Sequence, residues 1–161
     1  MFRAALFCLA IAAPCALPAA AQTTAFGAMT ADTKAPVDLS ADSLQVDQKT
    51  GHAVFSGNVV IGQGDMRLGA QKVVVEYVPG DRRKIARLHA SGNVTLVSGP
   101  DAAEAAEAVY EVETGIITLT GDVVMAQGQN VLSGNRMTVD LAQGSARVDG
   151  RVRSVLQPGG N

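Results

Sequence analysis

The chain carries few side chains that could act chemically on a substrate. Its histidines are His52 and His89, and its cysteines are Cys8 and Cys15. None forms an H-x-x-x-H or C-x-x-C pair of the kind that holds a metal ion. No P-loop lysine follows the glycines, and the sequence contains no G-x-S-x-G motif. We therefore predict no catalytic residue, no metal and no cofactor, and we expect each histidine on the solvent face of a strand.

An acidic residue recurs at one position of a repeated pattern, just before a glycine-containing turn. The set consists of Asp47, Glu76, Glu111 and Asp140. In-register carboxylates on neighbouring strands about 4.8 Å apart would repel one another. We expect them to be staggered or paired with basic side chains on a solvated face; a cation site is the alternative interpretation.

Two groups of arginines are candidates for contacts with an anionic headgroup. Arg82 and Arg83 belong to "DRRK" at 81–84, and Arg147, Arg151 and Arg153 share one face of the last strand run. The guanidinium fork suits phosphate. Equally, arginines on a terminal strand keep a sheet edge soluble and discourage random pairing. Both interpretations stay open on the sequence alone.

These residues are carried by a tandem repeat. "FSGNVVI" at 55–61 returns as "ASGNVTL" at 90–96 and "LTGDVVM" at 119–125. Aligned units begin 29, 35 and 29 residues apart, and the six extra residues lie near "DRRKIA". Glycines recur in register at two positions, the first of them Gly51, Gly80, Gly115 and Gly144. A fixed period of this kind indicates one supersecondary unit used several times.

Apolar residues in each unit alternate with period two, which predicts strands with one apolar face. The recurring glycines between the runs suit turns with positive φ. We predict that the apolar face lines the interior through the residues Leu44, Val46, Phe55, Val59, Ile61, Val73, Val75, Val94, Leu96, Leu119, Val123, Met125, Met137 and Val139. This face is either a closed core or a slot that shelters acyl chains.

Stacked strand pairs must cover their apolar face with a second layer. The pattern therefore predicts an all-β fold, as an antiparallel sandwich, a jelly roll or an open barrel, with a parallel β-helix as the alternative. The segment "DAAEAAEAV" at 101–109 has a helix-like composition, but its place in the repeat favours a strand.

The N-terminus predicts export. Arg3, a short apolar stretch and "AAA" before Gln22 describe a signal peptide over residues 1–21. A retained anchor and a lipoprotein attached through Cys15 are the alternatives. We interpret residues 22–36 as a flexible leader, 37–157 as one β-domain and 158–161 as a tail. A formal net charge of −2 argues against nucleic acid as a partner, and the few aromatics argue against a polysaccharide-binding module.

The stretch "PVDLSADSLQVDQKTGHAVFSGNVVIGQGDMRLGAQKVVVEY", followed by renewed "GNV" and "GDV" strands, resembles the OstA-like family of periplasmic lipopolysaccharide-transport proteins. The resemblance covers about residues 37–156. It implies an open, twisted antiparallel β-jelly roll in the periplasm, which binds the acyl chains of lipopolysaccharide, in its lipid A portion, and performs no chemistry.

The resemblance also implies partners. Family members associate head to tail through edge strands and connect an inner-membrane LptC-type protein to an outer-membrane LptD-type protein. Unpaired backbone groups at the open ends of a sheet could accept a strand from a like subunit. Two alternatives remain: an LptC-like component of the same path, and a structural β-repeat surface protein without a lipid ligand.

Overall fold

The computed structural model describes residues 29–157. In this range the chain forms strands and no helix, so no helix there has the length and hydropathy needed to cross a membrane. The strands are β1 (Asp38–Ser40), β2 (Ser43–Val46), β3 (Ala53–Gln63), β4 (Met66–Val78), β5 (Asp81–Ser98), β6 (Asp101–Glu111), β7 (Ile116–Gln127), β8 (Asn130–Asp140), β9 (Ser145–Asp149) and β10 (Arg153–Val155).

All strands join one antiparallel sheet in which β3 to β8 pair in chain order. At one end of the sheet, β1 and β2 both pair with β3, each along a different half of it. At the other end, β9 and β10 share β8 in the same way. The sheet is therefore open at both ends, and the predicted all-β, open antiparallel fold is confirmed.

Each long hairpin pair bends in the middle at a β-bulge. The pairing of β3 with β4 shifts register between Ser56 and Val59, where Gly57 and Asn58 adopt φ values of +79° and +46°. The same register shift recurs at Gly92–Asn93 and at Gly121–Asp122, where both residues again have positive φ. Glycine, asparagine and aspartate tolerate this left-handed region best, and a bulge bends its strand.

The bends fold the sheet into two layers that face each other. The first layer contains β2, β9 and the half-strands that meet at the long turns, such as the β6–β7 turn. The second layer contains β1, β10 and the half-strands that meet at the tight turns after Gln63, Ser98 and Gln127. The inward side chains of both layers form one hydrophobic cluster.

The repeat predicted the turns correctly. Gly51, Gly80, Gly115 and Gly144 all have positive φ, between +64° and +84°, and lie between strands. The six extra residues of the second unit lengthen the β4–β5 hairpin, so β5 spans 18 residues. Residues 101–109 lie in β6, as the repeat register favoured over their composition.

The structure describes only part of the two terminal regions for which we made predictions. The predicted signal peptide, residues 22–28 and the tail at 158–161 lie outside the described residues. Residues 29–36, which we interpreted as part of a flexible leader, lie against the sheet and contribute the buried side chain of Met29. Methionine is long and unbranched, so it can fill a gap in the interior without belonging to a strand.

Candidate functional site

The interior stripe is the set of predicted apolar residues that the alternation turns inward. Eleven of the fourteen predicted residues are at most 1% exposed. They are Val59, Ile61, Val73, Val75, Val94, Leu96, Leu119, Val123, Met125, Met137 and Val139. Register explains the result, because directly paired residues such as Leu119 and Met137 point to the same face of an antiparallel sheet.

Three predicted residues behave differently because they lie at an end of the sheet. Phe55 is half-buried, whereas Leu44 and Val46 are 56% and 58% exposed. Leu44 pairs with Phe55 and Val46 with the buried Ala53, so both side chains face inward. They are exposed because, within residues 29–157, β2 is the last strand of its layer and no neighbour covers it. The prediction that Leu44 and Val46 are interior residues is therefore wrong for burial, although the predicted face is correct.

Sequence reasoning missed part of the interior. Met66 and Leu68 of β4 and Leu141 after β8 are at most 1% exposed, as is Met29. Met66 and Leu68 lie on the other side of the β4 bulge from Val73 and Val75, where the inward alternation changes phase, so extending the predicted alternation along β4 does not find them. Met29 lies outside any strand pattern, so no periodic signal identified it. Full burial of such a side chain stabilises the fold by about 1.5–3 kcal/mol.

Polar side chains interrupt the apolar interior at the tight turns of the second layer. Gln63, Ser98 and Asp101 are 2%, 5% and 3% exposed, and Gln63 accepts a hydrogen bond from the hydroxyl of the buried Tyr110. Parity could have revealed them, because Gln63 follows Ile61 at the inward spacing. Burial raises the pKa of Tyr110 above its ordinary value, since the phenolate would lose its hydration.

The N-terminal segment, residues 29–36, lies over these polar groups. The Gln63 side-chain amide donates to the carbonyl oxygens of Thr33 and Ala35, at 3.0 Å each. The Ser98 hydroxyl donates to the Thr30 carbonyl at 2.5 Å. These bonds satisfy donors that would otherwise be buried without a partner, so the interior and the segment are parts of one arrangement.

The first arginine group lies at the β4–β5 turn. Arg83 is 3.2 Å from Asp81, measured from Nε to Oδ1, and its side chain is almost fully exposed. The guanidinium of Arg82 lies beside Gly51 in the β2–β3 turn. Both cations are accessible at the surface.

The second arginine group is at the other end of the sheet and divides between the layers. Arg147 of β9 is 3.1 Å from Asp149, again from Nε to Oδ1. Arg151 and Arg153 line a surface cleft together with Asp122. We predicted one shared face for the three, but the bulge at Gly150 and Arg151 separates β9 from β10. Three strands stand between β5 and β9, so the structure does not bring the two groups together.

The recurring acidic residues accept hydrogen bonds within turns or form ion pairs. Asp47 accepts hydrogen bonds from the backbone N–H groups of Thr50 and Lys49, which lower the pKa of its carboxyl. Asp140 accepts two such bonds in the equivalent β8–β9 turn. Glu76 lies 3.5 Å from Arg87.

The histidines and carboxylates of residues 29–157 were compared with the requirements of a metal site. No group of three or more histidine, cysteine, aspartate or glutamate side chains is placed to hold a metal ion there. His89 lies 3.5 Å from Glu107 with its side chain 43% exposed. This contact lies at the surface of the sheet, between the paired strands β5 and β6.

The interior is filled where the two layers meet. A cleft of about 260 Å³ lies at the β1 edge, and most of its lining residues, among them Val60 and Arg67, face outward. Leu39 is inward-facing, since it pairs with Ile61. Inward residues that no strand covers, such as Leu44 and Val46, can therefore offer aliphatic surface to a ligand, and the interior can do so along its length only if the layers separate.

Comparisons with known proteins agree with the family resemblance and with the fold described above. A family described as "LptA/(LptD N-terminal domain) LPS transport protein" matches residues 38–145. An uncharacterised protein of Rhizobium meliloti (strain 1021) is 31% identical over 133 residues, which cover 76% of this chain and 72% of that protein.

Two further relatives carry the name lipopolysaccharide export system protein LptA. The one from Escherichia coli (strain K12) is 28% identical over 128 residues, covering 74% of this chain and 66% of that protein. The one from Haemophilus influenzae is 28% identical over 148 residues and 86% of each chain.

A solved structure shares the fold. LptH of Pseudomonas aeruginosa, described as the LptA-homologous periplasmic component of a lipopolysaccharide transport device, superposes with a TM-score of 0.70. The superposition covers 80% of this chain and 99% of that one at 21% sequence identity. At this identity the likeness concerns the architecture.

Proposed function

The chain belongs to the LptA/(LptD N-terminal domain) family of LPS transport proteins, and from that premise we propose that it carries lipopolysaccharide through the periplasm without performing chemistry. The acyl chains of the lipid A portion occupy the interior between the two layers. The relatives named LptA and the periplasmic LptH support this proposal.

The observation that carries the proposal is the continuous aliphatic interior of an open roll. Valine, leucine, isoleucine and methionine side chains line it from β3 to β8. Each methylene of an acyl chain buried there gains about 0.8 kcal/mol. A lipid with several chains can therefore be held without any specific polar contact.

Acyl chains enter by separating the layers. The layers share backbone along the line of bulges, so that line acts as the closed side of the roll. On the opposite side, the N-terminal segment bridges the turns of the two layers. Separation there exchanges contacts between aliphatic side chains for contacts with acyl chains, which are chemically alike.

The two ends of the sheet provide for assembly. The uncovered inward residues Leu44 and Val46 of β2, together with the free edges of β1 and β2, accept the β9 and β10 end of a second copy by strand addition. The same ends accept an LptC-type protein of the inner membrane and an LptD-type protein of the outer membrane. The interiors of adjoining subunits then form one path.

The arginines serve the headgroup. Arg82 and Arg83 at one hairpin, and Arg147, Arg151 and Arg153 at the β9–β10 end, are accessible cations that suit lipid A phosphates. Because three strands separate the groups, one lipid engages one group at a time as it moves along the roll.

Photo-crosslinking tests the proposal. A photo-crosslinking residue at Ile61, which is fully buried and inward, is expected to form an adduct with lipopolysaccharide in cells. The adjoining Val60 is the matched control, since it belongs to the same strand but faces outward and is 41% exposed. Equal adduct yields at the two positions, or none at either, would contradict the proposal.

A second position covers the case in which the Ile61 variant does not fold. Phe55 is inward, half-buried and already aromatic, so a benzophenone-bearing phenylalanine analogue disturbs it less. Adducts at Phe55 and none at Val60 are the expected result.

A further inference from the structure

The N-terminal segment bridges the open side of the roll. On the second layer it contacts the tight turns, through Gln63 and Ser98. On the first layer the amide of Ala31 donates to the Leu141 carbonyl at 3.4 Å. The segment therefore closes the side opposite the bulges, where the layers share no backbone.

One residue of the segment occupies interior space. Met29 is fully buried and belongs to the same hydrophobic cluster as the interior stripe. An acyl chain and a methionine side chain are both flexible and unbranched, so one can replace the other in the same aliphatic surroundings.

The segment is held less firmly than any long strand. Residues 29–36 form no ladder with the sheet, and Ala31 to Leu141 is their one backbone hydrogen bond to it in the described chain. The remaining polar contacts are side-chain donors on its carbonyl groups. Regions with so few backbone hydrogen bonds open at low free-energy cost.

The closed arrangement also leaves a buried oxygen unsatisfied. Asp101, the partner of Ser98 across the β5–β6 turn, has an Oδ1 atom without a hydrogen-bond partner in the part of the chain that the structure describes. A buried polar atom without a partner is costly, and opening this corner to water removes the cost.

We propose that residues 29–36 form a displaceable lid that seals the acyl slot of the empty protein and swings out when lipid enters. This inference rests on the proposed function and adds its regulation. Acyl methylenes take the place of Met29. The amide of Gln63 and the hydroxyl of Ser98, once released, donate instead to the ester or amide carbonyl oxygens of the acylated ligand.

Two disulfide tethers test the lid. In Thr33→Cys/Gly115→Cys the Cβ atoms lie 3.8 Å apart, and in Asp32→Cys/Gly64→Cys they lie 3.5 Å apart. Disulfide-bonded cysteines have Cβ atoms about 3.8 Å apart on average. The first tether fixes the lid to the first layer and the second fixes it to the second layer. Expression from Gln22 leaves out Cys8 and Cys15, so the engineered pair is unique.

Binding of purified rough lipopolysaccharide is measured for each variant, oxidised and reduced. Oxidation removes the open state, so we expect it to weaken binding at least about tenfold and reduction to restore it. The four single-cysteine variants are the controls without a tether, and two of them, Gly115→Cys and Gly64→Cys, also carry the backbone strain of a side chain at positive φ. Their affinity is expected not to change on oxidation.

The outcomes separate the lid from the proposed function. If the wild-type protein binds and both oxidised tethers bind equally well, the lid is overturned and the carrier function stands. If neither the wild-type protein nor the reduced variants bind lipopolysaccharide, the carrier function falls and the lid falls with it.

A measurement on the wild-type protein serves if the tethered variants do not fold. Lys34 lies in the lid and Lys49 in the β2–β3 turn, and both are exposed to trypsin. Lipopolysaccharide is expected to accelerate cleavage at Lys34 relative to Lys49. An unchanged or slower relative rate would refute displacement of the lid.

Discussion

Tyr110 is a phenol in the interior, and its hydroxyl donates a hydrogen bond to the side chain of Gln63. Gln63 in turn holds two carbonyl oxygens of the N-terminal segment. A chain of hydrogen bonds thus runs from β6 through β3 to residues 33 and 35. Buried polar networks of this kind are costly to break because each group left without a partner stays desolvated.

The raised pKa of Tyr110 predicts a loss of stability at alkaline pH. The unfolded tyrosine ionises near its ordinary value of 10.0, whereas the folded protein retains the proton to higher pH. Above pH 10 the unfolded state therefore binds fewer protons, and the free energy of unfolding falls by up to about 1.4 kcal/mol per pH unit from this group. Below pH 10 the group contributes no slope. Urea unfolding at a series of pH values measures the effect.

The variant Tyr110→Phe tests whether Tyr110 causes the fall in the free energy of unfolding above pH 10. It should remove the contribution above pH 10. At neutral pH it should lower the free energy of unfolding by about 1–3 kcal/mol, because the Gln63 oxygen loses its buried donor. Tyr77→Phe is the matched control, since no side-chain hydrogen bond of Tyr77 is found in the described chain. Equal costs for the two variants would contradict the role of the buried hydroxyl.

At the scale of the elements, the bulges bend the continuous sheet so that it forms two layers. Glycine followed by asparagine or aspartate supplies two successive residues with positive φ at Gly57, Gly92 and Gly121. The same position at the C-terminal end is Gly150, followed by Arg151 at φ +47°. A charged, long side chain in this conformation is strained relative to asparagine, and we have no structural reason for its presence there.

Gly121→Ala should destabilise the protein more than Gly128→Ala does. Both positions have positive φ, but a Cβ at Gly121 would lie 2.6 Å from the Cβ of Ala106, whereas nothing lies within 4 Å at Gly128. Backbone strain costs each variant about 1–2 kcal/mol, and the overlap adds about 1–3 kcal/mol at Gly121. Thermal or urea unfolding compares the two.

The double variant Gly121→Ala/Ala106→Gly isolates the overlap. It removes the clashing methyl group and keeps the backbone strain, so part of the lost stability should return relative to the sum of the single variants. Strict additivity would mean that Ala106 is not the cause.

At the scale of the whole molecule, the sheet is open at both ends and presents apolar surface at one of them. Leu44 and Val46 are inward by register yet more than half exposed, because no strand follows β2 in its layer. These ends are the surfaces through which we propose that the protein assembles.

Replacing Leu44 and Val46 by aspartate should block head-to-tail assembly and leave the fold intact, since both side chains are already solvated. A carboxylate buried against an apolar partner pays a large desolvation cost, so the dissociation constant should rise at least about tenfold. Analytical ultracentrifugation over a concentration series measures it. Val60→Asp, exposed on the outer face, should not affect assembly; if it does so equally, the contact surface lies elsewhere.

Much of this protein follows from local pattern. The period-two alternation identified inward residues of β3, β4, β5, β7 and β8, and the recurring glycines located the turns, because both depend on short-range sterics. The same pattern indicated strand for residues 101–109 against their composition. The inward positions of Gln63 and Ser98 were also readable by parity, although their partners were not.

Only the tertiary structure determines which inward residues are covered, and which strands or segments cover them. The burial of Val59 and the exposure of Val46 follow from the number of strands beside each, a property of the whole sheet and not of the local sequence. The placement of Met29 in the interior depends on contacts that its segment makes with distant turns, such as the hydrogen bond from Ala31 to Leu141, 110 positions away. Periodicity carries no information about such contacts, because they form only after the bulges have brought the two layers face to face.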